Sequence, residues 1–175
     1  MILIVDMNQR KGSLGLEEFV MPIASIAGEC ETLHYSEVDY VNNFSKIILS
    51  GTPLKDNEYL NRLDSFRWVK ECGKPILGIC AGMQAIAAVH DSKIVECKEI
   101  GMTQIETTGE NPLASGIFKA YELHNLAVEP SNAFEVLAKS KNCIQAIKHL
   151  RKPLYGVLFH PEVRNPGILE RFLKL

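Results

Sequence analysis

The sequence lacks any apolar run approaching the roughly 18 residues that a membrane-spanning helix needs. It also lacks an excess of one charge. Lys+Arg number 19 and Asp+Glu 21, a formal net charge of -2. With no basic surplus to draw in a phosphate backbone, a nucleic-acid partner is not expected. The start, Met1-Ile2-Leu3-Ile4-Val5, runs into Asp6 without a basic region or a long apolar stretch, so a secretory signal is not expected. No CxxC pair occurs among the five cysteines, Cys30, Cys72, Cys80, Cys97 and Cys143. An odd count without paired spacing argues against a disulfide framework or a zinc site; no metal site is expected, and a reducing cytoplasm fits. A phosphate-cradling G-x-x-x-x-G-K loop is missing too, so ATP binding is not expected of this chain.

What is present suits one folded domain. The chain has 175 residues, 46% of them hydrophobic and 23% charged. Residues 2–5 read as a buried strand, followed by a polar loop at 8–13. Apolar positions at helical spacing from 14 to 27 predict a helix that Pro22 delays or kinks. Strands are expected at 31–35, 46–50 and 75–79. An amphipathic helix is expected over 59–72 and another over 81–90. Strands alternating with helices through residue 90 indicate a parallel sheet covered on both faces. From 93 to 160 the pattern changes to short β segments at 93–96, 101–107, 121–128, 135–140, 143–148 and 154–159, with a last helix over 166–173. The expectation is an α/β fold: a single three-layer domain, 1–175, with a central mixed, mainly parallel sheet flanked by helices.

Chemistry is concentrated in three segments. Gly78-Ile79-Cys80-Ala81-Gly82 lies between an expected strand and an expected helix and has the G-x-nucleophile-x-G form of an elbow. A helix N-terminus there offers free N–H groups and partial positive charge, which favour a thiolate and a developing oxyanion. Such a nucleophile needs a base. Phe159-His160-Pro161-Glu162 supplies a histidine and, two residues on, a carboxylate; in extended chain the two side chains point the same way, so that Glu162 holds the His160 ring. Ser50-Gly51-Thr52-Pro53, at another strand end, brings backbone N–H groups that join that of Ala81 around an oxyanion. Taken alone, this last segment reads as an ordinary turn.

Together these segments resemble the class I (triad) glutamine amidotransferase family, whose domains carry S-G-G-P, G-[IV]-C-x-G-x-Q and F-H-P-E in this order. Here they stand as Ser50-Gly51-Thr52-Pro53, Gly78-Ile79-Cys80-Ala81-Gly82-Met83-Gln84 and Phe159-His160-Pro161-Glu162. The resemblance spans nearly the whole chain and implies a flavodoxin-like fold. It implies Cys80 as nucleophile, His160 as acid/base and Glu162 as its orienter, with Gly51, Thr52 and Ala81 around the oxyanion. It implies that Gln84 helps to hold L-glutamine and that the backbone about Asn125 and Leu126 binds its amino-acid moiety. His124 matches the usual histidine of that segment and is not the triad base. No metal or organic cofactor is implied for glutamine hydrolysis.

Within the family, Ala133–Ser140, Ala146–His149 and Lys152–Val157 resemble the glutaminase part of GMP synthase, which passes ammonia to activated XMP. The implied partner is a separate synthetase subunit of ATP-pyrophosphatase type, to which ATP and magnesium would belong. Thr52 departs from the second glycine of S-G-G-P, and Arg164-Asn165-Pro166-Gly167 replaces the H-T-x-x-G that follows His-Pro-Glu-Val in those synthases. Three alternatives stand beside this reading: a stand-alone γ-glutamyl hydrolase, a glutaminase subunit for another acceptor enzyme, and a catalytically silent regulatory subunit. His34, His90 and His149 lack ligand-type spacing and read as structural. Cys30, Cys72, Cys97 and Cys143 read as small hydrophobes, Trp68 as core, and the basic stretch Lys139 to Lys152 as a solvated face.

Overall fold

The computed structural model describes residues 1–175. Strands β1 (Ile2–Asp6), β2 (Cys30–His34), β3 (Lys46–Leu49), β4 (Ile76–Ile79) and β9 (Leu154–Val157) are mutually parallel. Strands β5 (Lys93–Thr107), β6 (Ile117–Glu129), β7 (Phe134–Lys139) and β8 (Ile144–His149) are joined to β9 and to one another by antiparallel pairings. All nine form one sheet in the order β2-β1-β3-β4-β9-β8-β7-β5-β6. The mixed, mainly parallel centre expected from the sequence is therefore extended by an antiparallel half.

Helices cover the parallel half on both faces. On one side α2 (Ala81–Val89) and a 3-10 stretch, Glu58–Lys70, close a cluster of 25 buried apolar residues that includes Leu3, Leu49, Phe66 and Met83. On the other side α1 (Met21–Ala27) and α4 (Pro166–Lys174) close a second cluster of 20, which includes Ile4, Ile48, Leu77 and Phe172. Alternate residues along β1 and β3 thus enter opposite cores, as the two-residue period of a strand requires. No helix is long and apolar enough to cross a membrane.

Several elements differ from the sequence expectations. The expected helix over 14–27 divides into a π-turn at Leu16–Val20 and α1, with Pro22 in the first turn of α1 where its missing N–H costs nothing. The expected amphipathic α-helix over 59–72 is 3-10 instead, with non-helical backbone at Arg62. Leu60, Leu63, Phe66, Val69 and Cys72 recur every third residue, which is the repeat of a 3-10 helix and not of an α-helix. Segments 93–96 and 101–107 are one strand, β5, with a bulge between Glu96 and Glu99 opposite Asn125. The chain also leaves the extended conformation before Pro161 and forms a short helix, α3 (Pro161–Arg164).

Candidate active site

The carboxyl ends of β3, β4 and β9 lie side by side in the middle of the sheet. Leu49 pairs with Gly78, and Ile79 pairs with Val157. Each strand is followed by one of the three candidate segments, so the parallel register alone gathers residues from three distant parts of the chain. This is also where open α/β sheets usually bind ligands.

Cys80 follows β4 directly and caps α2 with φ 48° and ψ -104°. That left-handed backbone costs a non-glycine residue about 1–3 kcal/mol and survives only when its surroundings enforce it. Here the Cys80 N–H donates to the Val157 carbonyl at 2.8 Å, and the Cys80 carbonyl accepts from the Gln84 N–H at 3.0 Å. The Gly82 N–H donates to the Ser50 carbonyl at 3.2 Å, locking the elbow to the loop after β3. A β-carbon on Gly82 would meet the Leu49 carbonyl oxygen at 2.4 Å, so only glycine permits this approach. Ala81 occupies the first position of α2, where the N–H has no partner within the helix.

His160 is fully buried and its Nδ1 lies 2.8 Å from Glu162 Oε1, which is itself buried. The expected extended chain is replaced here by a turn: His160 caps α3, Glu162 sits in its first turn, and the helical turn brings the carboxylate under the ring. The His160 N–H donates to the Tyr121 carbonyl of β6 at 2.9 Å. The Phe19 ring packs on the imidazole at a centroid distance of 5.4 Å. Burial alone would lower the His160 pKa, but interaction with Cys80 and then with Glu162 outweighs it and holds the ring well above 6.5. Cys80 and His160 are thus close neighbours, Cys80 being the largest influence that raises the ring's pKa. They are not hydrogen-bonded: His160 Nε2 has no partner, and the Cys80 thiol is directed to the Leu123 carbonyl at 3.7 Å.

Over Cys80 lies a cavity of only about 10 Å³, walled by Thr52, Pro53, Leu54, Asn57, Tyr59, Cys80, Gln84, Leu123, His124 and Asn125. Thr52, Gln84 and Asn125 line it; Gly51, Ala81 and Leu126 do not. Gly51 instead touches the His160 ring. Gln84 is held at both ends of its amide: Oε1 accepts a hydrogen bond from the Tyr59 hydroxyl, and Nε2 donates to the Leu126 carbonyl at 3.0 Å. The Thr52 hydroxyl donates to the Asp56 carbonyl at 2.8 Å, and Asp56 Oδ2 accepts from the Gln9 N–H at 2.7 Å, which ties the loop after β3 to the loop after β1. Tyr59, Phe19 and Tyr121 have no signal in the sequence, because each reaches the site only through tertiary packing.

A family model described as glutamine amidotransferase class-I matches residues 13–173. The chain belongs to the class I glutamine amidotransferase family. Its relatives in that family include the glutamine-hydrolysing GMP synthase subunit of Pyrococcus abyssi, 38% identical over 150 residues, which are 76% of this chain and 76% of that protein. The protein of the same name from Methanocaldococcus jannaschii is 32% identical over 167 residues, covering 81% of this chain and 89% of the other. The fold agrees with solved class I amidotransferase structures. A Thermoplasma acidophilum protein described provisionally as a GMP synthase subunit superposes with a TM-score of 0.85 at 23% identity, over 99% of this chain and 93% of that one. A glutamine amidotransferase from Thermotoga maritima gives 0.73 at 17% identity, over 99% and 81%.

The remaining histidines and lysines of this amidotransferase chain have local roles. His34 donates from Nε2 to the Asn8 carbonyl at 2.7 Å, and His90 donates from Nδ1 to the Ile86 carbonyl at 2.8 Å. His149 Nδ1 accepts the Arg151 and Lys152 N–H groups at 3.0 and 3.2 Å. Lys148 pairs with Glu135 at 2.8 Å. Two of the cysteines read as small hydrophobes are not in purely apolar surroundings: Cys97 and Cys143 both adjoin the Glu99 carboxylate.

Proposed function

We propose that residues 1–175 form one glutamine amidotransferase type 1 domain that hydrolyses L-glutamine to glutamate and ammonia through Cys80, His160 and Glu162. The observation that carries this reading is the His160–Glu162 hydrogen bond at 2.8 Å beside a cysteine in a strained elbow. The Cys80 thiolate attacks the side-chain amide carbon. The oxyanion takes backbone N–H groups of Ala81 and of the Gly51–Thr52 loop. His160 gives its proton to the departing ammonia, leaving a γ-glutamyl thioester, and then takes a proton from the water that releases glutamate. Glu162 fixes the ring and stabilises its charged form. Asn125 and the backbone about Leu126 hold the amino-acid end, and Gln84 positions that segment through the Leu126 carbonyl. No metal or organic cofactor takes part in this reaction.

The ammonia goes to a synthetase subunit. The names of the relatives support GMP synthase, with an ATP-pyrophosphatase partner that aminates XMP in the cytoplasm and holds the ATP and magnesium. The small size of the cavity above Cys80, about 10 Å³, supports a partner-dependent subunit over a stand-alone hydrolase. The test measures glutamine hydrolysis by the chain alone and then with a GMP synthase synthetase subunit, XMP and magnesium-ATP. Stimulation of at least tenfold, about 1.4 kcal/mol of barrier, with GMP formed, is expected. Full activity alone, unchanged by the partner, contradicts the subunit reading.

A further inference from the structure

Behind the candidate active site, β5, β6 and the start of β8 bury a cluster of donor atoms that glutamine hydrolysis does not use. Glu99 of β5 faces His124 of β6 across the strand pair, and Glu122, two residues before His124, shares its face. Glu122 and His124 are almost wholly inaccessible and Glu99 is 7% exposed. His124 Nδ1 lies 2.9 Å from the Cys97 carbonyl. A carbonyl can only accept, so Nδ1 carries a hydrogen, and Nε2 is the ring atom left to bind a metal. Nε2 lies 3.3 Å from Glu99 Oε2 and 3.2 Å from Glu122 Oε2. Charge-assisted hydrogen bonds are shorter, about 2.7–2.9 Å, and neither His124 Nε2 nor either Glu122 oxygen has a hydrogen-bond partner. No Lys or Arg pairs with either carboxylate.

Two buried carboxylates and an imidazole whose donor atoms lie within 4.8 Å of one another make a candidate cation site. Zinc bonded tetrahedrally to nitrogen and oxygen at about 2.0–2.1 Å sets its ligand atoms roughly 3.3 Å apart, which is the spacing found. The Cys143 thiol donates to Glu99 Oε2 at 3.4 Å and stands outside the Glu99–Glu122–His124 group. Cys97 Sγ, Glu99 and Cys143 Sγ also lie within 4.8 Å of one another. An imidazole in the set favours zinc-class ions over magnesium or calcium. The supporting contacts are those of a metal site. His124 donates its other ring N–H to a backbone carbonyl, and Glu99 accepts from Gln145 Nε2 at 2.7 Å and Asn142 Nδ2 at 2.8 Å.

We propose that Glu99, Glu122 and His124 form a binding site for a divalent transition-metal ion of the zinc class. Its place in the fold gives it a purpose. His124 lies between Leu123, whose carbonyl faces the Cys80 thiol, and Asn125, which lines the cavity. A bound ion braces the β6 segment that forms that wall and takes no part in the chemistry.

The test uses the full chain carrying Cys80→Ser, so that the active-site thiol cannot bind metal. The protein is stripped with a chelator and titrated with zinc chloride against a colorimetric indicator, then loaded with cobalt(II) and its spectrum recorded. One zinc per chain is expected, with the visible bands of tetrahedral cobalt and without a near-ultraviolet thiolate charge-transfer band. Glu122→Gln weakens zinc binding by about 10- to 100-fold. Cys143→Ser, at a half-buried position that tolerates the change, leaves zinc binding and the cobalt bands unaltered. Folding of each variant is followed by circular dichroism. A folded Cys80→Ser chain that binds no zinc overturns the proposal, and so does zinc binding left unaltered by Glu122→Gln; the cluster is then held together by shared protons alone.

Discussion

Gly51 touches His160 so closely that a β-carbon on Gly51 would stand 2.5 Å from His160 Cε1 and 3.1 Å from its Nδ1. The ring cannot retreat easily, since Phe19 packs on it and Glu162 holds its Nδ1. Gly51→Ala therefore displaces the imidazole. We expect kcat for glutamine hydrolysis to fall by about 100-fold, within the range that a positioned acid/base contributes, while the chain stays folded. Gly73→Ala is the control: nothing lies within 4 Å of the added carbon, and its activity and Tm stay near those of the parent. Equal activity of the two variants contradicts the placement of His160 in the reaction.

Glu162→Gln removes the carboxylate and keeps the shape. The His160 pKa is raised because Cys80 and Glu162 together overcome burial, so loss of one charge brings it down. The effect on stability has a definite sign. A histidine raised in the folded state contributes stability that is fully present below its unfolded pKa near 6.5 and disappears as pH rises through the higher folded value. Plots of Tm against pH for the parent and Glu162→Gln should thus separate most below that window and converge above it. The kcat profile of the variant should lose its alkaline limb at lower pH, with a drop of about 100-fold at the optimum. Superposable pH profiles would show that Glu162 does not act on His160.

Tyr59 is joined to Gln84, and Gln84 to the Leu126 carbonyl, so one chain of hydrogen bonds links the 3-10 stretch, α2 and β6. Tyr59→Phe leaves Gln84 Oε1 buried without a donor, which costs about 1–3 kcal/mol. The expected result is a Tm lower by several degrees and a KM for glutamine raised more than kcat is lowered, because the wall that holds substrate loosens while the nucleophile stays in place. Thermal melts and steady-state kinetics check both halves of this prediction.

The parallel half of the fold is legible in the sequence because strand and helix periods alternate cleanly there and Gly and Pro mark the joints. Between Glu58 and Lys70 the difficulty is one of period: apolar residues three apart suggest one face of an α-helix, and here they specify 3-10. The turn at His160 is hidden because an apolar strand runs into Pro161, and proline at the first position of a helix looks the same as proline ending a strand. The Cys80 elbow is visible because its signal is local, five residues between two elements. The cluster about Glu99 is invisible for the opposite reason. Its donors come from β5, β6 and the start of β8, and only the antiparallel register, with its bulge at Glu96/Glu99, brings them to one point.

Covalent labelling of the intact chain by a chloroketone analogue of glutamine, located by peptide mass spectrometry, is the most direct test of the nucleophile on which the account rests. The account predicts one adduct per chain, on Cys80, slowed by added glutamine, reduced in His160→Ala and absent in Cys80→Ser. An adduct on Cys30, Cys72, Cys97 or Cys143 with Cys80 unmodified, or glutamine hydrolysis that survives in Cys80→Ser, would contradict it.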